Sequence, residues 1–123
     1  MECLYKACEV VSLPCRKNET DGEFAIRHVH SMGYKNIDVY GVIGGRLDHF
    51  MIIYKLLQFS DIKFRIMDSQ NCIYALEKGV YDLKKNSTYI SIFPCEECIL
   101  TLTGVEYPLY NTLVNEICCS SYW

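Results

Sequence analysis

Tyr40-Gly41-Val42-Ile43-Gly44-Gly45-Arg46-Leu47-Asp48-His49-Phe50 is the stretch on which the fold turns. It grows out of an apolar run, Ile37 to Ile43, that reads as a buried strand. It opens an apolar-periodic segment, Leu47 to Leu57, that reads as a helix. A glycine pair between strand and helix permits a tight turn and lets backbone N–H groups come close to a ligand. Arg46 adds a planar fork of five donors suited to phosphate, while Asp48 and His49 add a carboxylate and a further donor. Strand, glycine pair, cation, carboxylate, helix is an order that suits polyphosphate at the carboxyl edge of a parallel sheet. The same residues also make an ordinary strand-to-helix turn with surface charges. Neither Gly-x-Gly-x-x-Gly nor Gly-Lys-Ser/Thr is present to decide between the two.

Outward from that turn the pattern alternates. Toward the N-terminus, Cys8 to Leu13 reads as a short strand closed by Pro14. Thr20-Asp21-Gly22-Glu23 then has the form of a capping box, with Thr20 at the N-cap and Glu23 three residues on. Ala25, Val29 and Met32 recur at helical spacing until Gly33. In the next helix Phe50, Met51, Tyr54 and Leu57 form one face. Ile53 and Leu56 make that helix apolar nearly all round, which predicts cover on both sides. Lys63 to Met67 is a further strand, so the first part reads β-α-β-α-β, the signature of a parallel sheet with right-handed crossovers. After Asp68 the period changes. Cys72 to Leu76, Val80 to Leu83, Thr88 to Phe93 and Cys98 to Thr103 read as consecutive short strands, which predicts an antiparallel sheet and a boundary near Ser69 to Asn71. The fold class is therefore α/β followed by all-β, with a first domain over 1–70 and a second over 71–123.

Composition narrows the function classes. Half of the 123 residues are hydrophobic and the net charge is −3, a globular balance with no basic cluster for nucleic acid. Ten tyrosines suit strand packing. Nothing at Met1-Glu2-Cys3-Leu4 resembles a secretory signal and no apolar run is long enough to span a bilayer, so the expectation is a cytoplasmic protein without a membrane partner. The eight cysteines are Cys3, Cys8, Cys15, Cys72, Cys95, Cys98, Cys118 and Cys119. In a reducing compartment they read as thiols, with Cys8 and Cys72 filling strand positions as small hydrophobes. Cys95-Glu96-Glu97-Cys98 has the spacing of a zinc half-site, and a thiol-metal module is one alternative function; a tight turn between strands explains the same spacing.

Three ordered motifs together carry more than any one of them. Gly44-Gly45-Arg46-Leu47-Asp48-His49 resembles the signature of the thiamine pyrophosphokinases. Upstream, Lys17-Asn18-Glu19-Thr20-Asp21-Gly22-Glu23-Phe24-Ala25 is similar to that family's Lys-Asp-x-Thr-Asp-x-x-x-Ala. Downstream, Asp68 and Asn71, Tyr89-Ile90-Ser91-Ile92-Phe93-Pro94 and Leu102-Thr103-Gly104-Val105-Glu106-Tyr107-Pro108-Leu109 follow in the family's order, so the resemblance runs from about Ala7 onward.

The resemblance implies a partial Rossmann-like parallel βαβ sheet, the C-terminal part of a nucleotide-binding catalytic domain, joined to part of an antiparallel β-sandwich that binds thiamine. It implies transfer of a pyrophosphoryl group from ATP to thiamine, giving thiamine diphosphate and AMP, with Mg2+ and a homodimer whose active site forms between subunits. Asp21 then corresponds to the acid that holds magnesium, beside Asp48 as the second catalytic carboxylate. Gly44, Gly45, Arg46, His49 and Thr20 fall on the ATP phosphates, and Tyr107 falls near thiamine. Each has a plainer reading: Asp21 as a helix-dipole acid, Asp48 as a salt bridge to Arg46, Tyr107 as a core tyrosine at a strand end. Asn18 stands where the family has an aspartate and keeps an oxygen acceptor without the charge. Asn115-Glu116 superficially matches the family's Ser-Asn pair, but Val114 replaces the serine. The family's further metal-holding acids and its Ser-Asn pair would lie outside the chain, which reads as truncated at both ends and, alone, as inactive; a non-catalytic phosphate-binding remnant is the second alternative.

Overall fold

A computed structural model describes residues 11–13, 19–115 and 119–123. Helix α1 spans Asp21–Ser31 and begins as the sequence predicts. Thr20 is its N-cap, and the Thr20 Oγ1 accepts a hydrogen bond from the Glu23 N–H at 3.3 Å. Glu23 itself lies 4.0 Å from Arg27 one turn on. At the other end Gly33 takes φ +89° and donates its N–H to the His30 carbonyl at 3.0 Å, a left-handed closure that costs glycine no Cβ clash.

Strand β1 (Asp38–Tyr40) and strand β2 (Arg65–Met67) pair in parallel, Val39 opposite Ile66, with helix α2 (Leu47–Phe59) as the crossover. Both strands are shorter than the apolar runs that announced them. In the first run Gly41 takes φ +83° and turns the backbone out of the ladder. Val42 and Ile43 still pack on the core, but from a loop. That core is Ile26 of α1, Ile37, Ile53, Leu56 and Leu57 of α2, and Ile62, Phe64 and Ile66 around β2. The buried face of α2 is therefore Ile53, Leu56 and Leu57, one turn apart, rather than the expected row through Phe50, Met51 and Tyr54. Leu47, Met51 and Phe59 are more than half exposed, so the predicted cover on the second side is absent among the described residues. Gly22 lets the two helices approach: a Cβ there would lie 3.0 Å from Ile53 Cδ1.

After β2 the chain reverses. Asp68 donates its N–H to the Asn71 carbonyl at 3.0 Å, and its Oδ1 accepts from the N–H groups of Gln70 and Asn71 at 2.8 and 2.6 Å. The turn sets β3 (Cys72–Ile73) antiparallel on β2, giving a mixed sheet of order β1-β2-β3. The strand expected at Cys72 to Leu76 is thus two residues long and completes the first sheet instead of opening the second. The chain divides between Glu77 and Lys78, beyond the expected change at Ser69 to Asn71.

The second unit holds two antiparallel ladders. Strand β4 (Tyr89–Ile92) pairs with β7 (Cys119–Tyr122), and β5 (Cys98–Leu102) with β6 (Leu109–Val114). No strand forms at Val80 to Leu83, where Gly79, Asp82, Lys84 and Lys85 leave no continuous apolar face and Val80 is fully exposed. No helix occurs between Cys72 and Thr103. Strands β6 and β7 went unread in the sequence because local pattern hides them. Pro108 precedes β6, Asn111 within it has φ +46°, and the ladder is irregular between Leu100 and Leu102. There Thr101 Oγ1 accepts the Asn111 N–H at 3.0 Å. The strand expected at Cys8 to Leu13 lies outside the described residues as far as Val10; Val11 to Leu13 have no strand geometry.

Candidate functional site

The loop Gly41 to Arg46 leaves the carboxyl end of β1, and the Asp68–Asn71 turn leaves the carboxyl end of β2. Because the two strands are parallel, with Tyr40 opposite Met67, both connections rise from one edge of the sheet. The loop is shaped by its backbone. Gly44 has φ +92°, where a side chain would be strained, whereas nothing lies within 4 Å of a Cβ built at Gly45. Residues Gly44 to His49 are all exposed, so the glycine pair and the start of α2 are open to a ligand.

Arg46 is the N-cap of α2 and makes no side-chain cap. Its guanidinium turns instead to Asp48, with Nε donating to Oδ1 at 3.1 Å and Nη2 to Oδ2 at 2.5 Å. These hydrogen bonds, then the charge of Arg46, hold the Asp48 carboxyl below the usual carboxylate range. The same contacts raise Arg46, which is cationic at every relevant pH. The plain salt bridge is thus realised, on two side chains that remain mostly exposed. A phosphate reaching this helix start would meet Arg46, the α2 dipole and the two glycine N–H groups, and would compete with Asp48 for the guanidinium.

Thr20 and Asp21 stand at the start of α1. The Thr20 hydroxyl is committed as the cap acceptor, and Asp21 is exposed in the first helical turn. That turn packs through Gly22 on Ile53, in the middle of α2. The structure therefore brings Arg46 and Asp48 into direct contact, and sets Thr20 and Asp21 at the start of the adjoining helix. His49 is exposed beside Asp48. Asp68 is the carboxylate to which the sequence reading gave no role; an acid directly after the last residue of a parallel strand was the signal. Its oxygens accept from Gln70 and Asn71, and these bonds hold its carboxyl below the ordinary value.

An open concavity of about 430 Å³ in the first unit shares no residue with this edge. It runs along the outer faces of both helices between Glu23, Arg27, Met51, Lys55 and Phe59. The glycine turn is the better candidate because its donors and charges lie at a helix start on the sheet's carboxyl edge; in the groove Glu23 and Arg27 face each other and Lys55 lies over the Phe59 ring.

In the second unit Tyr107 is 59 % exposed, so it is not a core tyrosine. Its N–H donates to Ser121 Oγ at 2.9 Å, and its ring centroid lies 6.5 Å from that of Tyr122. Cys95 and Cys98 are exposed free thiols, as is Cys72, which therefore does not fill the buried position expected of it. Among the described residues no three His, Cys, Asp or Glu side chains cluster as a metal site. Cys3, Cys8, Cys15, Asn18 and Cys118 lie outside the described residues.

Residues 2–67 match the family model described as thiamin pyrophosphokinase, catalytic domain. The chain is 39 % identical over 116 residues to the thiamine pyrophosphokinase of Bacillus subtilis, a match covering 85 % of this chain and 54 % of that protein. Among solved structures it superposes on a thiamin pyrophosphokinase from Geobacillus thermodenitrificans with TM-score 0.79 and 31 % identity, over 89 % of this chain and 54 % of that one. It also superposes on the thiamine pyrophosphokinase of Bacillus subtilis with TM-score 0.67 and 28 % identity, over 87 % and 59 %. The chain thus spans about half the length of the curated relative it matches. Among the described residues no helix is long and apolar enough to cross a membrane.

Proposed function

This chain belongs to the thiamin pyrophosphokinase family, and from that premise we propose that it carries the phosphate-handling part of a pyrophosphoryl transfer from ATP to thiamine. One observation supports the reading above the rest: Gly44, Gly45 and Arg46 stand between a parallel strand and a helix start, exposed at the carboxyl edge of the sheet. In the reaction the hydroxyl oxygen of thiamine bonds to the β-phosphorus of ATP, the bond from that phosphorus to the α-β bridging oxygen breaks, and AMP leaves. The hydroxyl proton passes to solvent or to a phosphate oxygen, since such transfers depend on alignment and charge stabilisation more than on a strong base.

Each residue has a task in that reading. The Gly44 and Gly45 N–H groups and the α2 dipole receive phosphate oxygens, and Arg46 neutralises charge that builds as AMP departs. His49 donates to phosphate, Asp48 orients Arg46 and the incoming hydroxyl, and Thr20 fixes the start of α1. Magnesium takes few protein carboxylates and fills its shell with phosphate oxygens and water. The donor set fits that habit, with Asp21 exposed at one helix start and no larger acidic cluster among the described residues. The ion, when bound, supplies charge neutralisation on the polyphosphate.

By the same reading the α/β part, assigned from sequence to 1–70, serves the nucleotide. The strand-rich remainder serves thiamine through Tyr107 as part of a β-sandwich. A cytoplasmic homodimer is the working assembly, which sedimentation tests. The experiment for the activity is direct. Protein containing this chain is incubated with magnesium, ATP and thiamine, and AMP and thiamine diphosphate are followed together. Equimolar products are expected, and Asp21→Ala should abolish them; its helix-dipole contact accounts for about 0.3–1 kcal/mol of the stability lost. Products from the parent with undiminished turnover in Asp21→Ala would remove that residue from the site.

A further inference from the structure

The plainer account of Cys95-Glu96-Glu97-Cys98, a tight turn between two paired strands, does not hold in the fold. Strand β4 pairs with β7 and β5 with β6, so the segment 93–97 closes no hairpin; it carries the chain from one ladder to the other. The backbone bends at Cys95 and Glu96, and Cys98 is the first residue of β5, opposite Val114 of β6. Both thiols are free and exposed, so neither serves as a small core hydrophobe. Glu96 and Glu97 between them are exposed as well. The crossover thus presents two thiols and two carboxylates to solvent within four consecutive residues.

Charge decides what such a pair can take. From Asn86 to Trp123 the sequence holds Glu96, Glu97, Glu106 and Glu116 and no Lys, Arg or His. Cysteines that exchange with disulfides sit in electropositive surroundings, where the thiolate is favoured. Here the surrounding charge is negative, which repels an anionic oxidant such as glutathione disulfide and draws a cation. Thiolate sulfur then selects a soft one. Zinc asks for four donors, and among the described residues no three His, Cys, Asp or Glu side chains cluster. A closed-shell monovalent ion is satisfied by two sulfurs. We propose that Cys95 and Cys98 form a two-thiolate site for a soft monovalent cation of the Cu(I) class. Each Sγ gives up its proton on binding, two per ion, and the metal keeps its oxidation state. The closed ring clips the crossover between two ladders whose buried hydrophobe, among the described residues, is Val114. This site is independent of the pyrophosphoryl reading.

The 123-residue chain is equilibrated without oxygen, in a non-thiol reductant, against Cu(I) held by a coloured chelator whose absorbance reports the metal it loses. Capture of one Cu(I) by the parent is expected, with its loss in Cys95→Ser and in Cys98→Ser. Cys72→Ser, which removes an exposed thiol outside the motif, should capture like the parent. Glu96→Gln and Glu97→Gln should each weaken capture by up to about fivefold, the worth of an exposed charge interaction. X-ray absorption of the loaded chain should show two sulfur neighbours, and amide exchange in β5 should slow on loading. Because the substituted thiols are exposed, an unchanged circular dichroism spectrum separates a lost site from a lost fold. Equal capture by the parent, Cys95→Ser and Cys98→Ser would overturn the site. Three or four sulfur neighbours, or displacement of Cu(I) by an equal concentration of Zn(II), would overturn the two-thiolate form. Ready closure of a Cys95–Cys98 disulfide by glutathione disulfide, with no Cu(I) captured, would overturn the preference for a cation.

Discussion

Arg46 and Asp48 show how much one exposed pair can and cannot do. Both side chains are solvated, so their bond adds little to stability. Its measurable trace is protonation. The fold holds the carboxyl of Asp48 below its unfolded value, so whatever the pair contributes is complete above the ordinary carboxylate range, near 3.9. It is lost as pH falls through the lowered value. Arg46→Met should move the Asp48 titration back up, read by carboxyl NMR, and should leave Asp38 low, because Arg65 holds that carboxyl through its own hydrogen bonds at 2.7 and 2.9 Å. The same variant should weaken ATP binding if phosphate takes the guanidinium from Asp48. Affinity equal to the parent would leave the pair as a surface salt bridge alone.

Among the elements, those governed by neighbours in sequence were the legible ones. Thr20 with Glu23 announced where α1 starts, and Gly33 where it stops, because caps are built within one turn. Thr20→Ala should accordingly cost about 0.5–2 kcal/mol, seen as a lower denaturation midpoint without a change in slope. Strand lengths were less legible, since the run Ile37 to Ile43 is apolar throughout while Gly41 ends the hydrogen bonding. Partner choice was hidden altogether. Nothing local in Cys72-Ile73 says that the Asp68 turn will fold it back on β2, and nothing in Tyr89 says that Tyr122 will stand opposite. The glycine turn was the reverse case, legible because strand, glycines, cation and helix are contiguous; the contact of Arg46 with Asp48 was legible as well.

Across the whole molecule, burial is uneven. The apolar core gathers in the first unit around Ile53 and Ile66, both almost wholly enclosed, while in the second unit Val114 is the buried hydrophobe among the described residues. Two-stranded ladders with so little enclosed surface are marginal. Amide hydrogen exchange should therefore be slowest in α2 and β2 and faster in β4 to β7, since opening free energy follows local burial. Equal protection in the two units would show that the second gains stability from something other than its own core.

The absent side chain at Gly22 makes that residue a spacer between the charge-bearing start of α1 and the middle of α2. Alanine there would gain helix propensity, about 1 kcal/mol, yet its methyl would press on Ile53 Cδ1, which is nearly fully enclosed and has little room to yield. Stability should thus fall by at most about 2 kcal/mol, since overpacking of this order costs about 1–3 kcal/mol. The first group to be displaced is Asp21, one residue away. Gly22→Ala should lower turnover more than it lowers the unfolding midpoint, an aiming error introduced by a residue that touches no substrate.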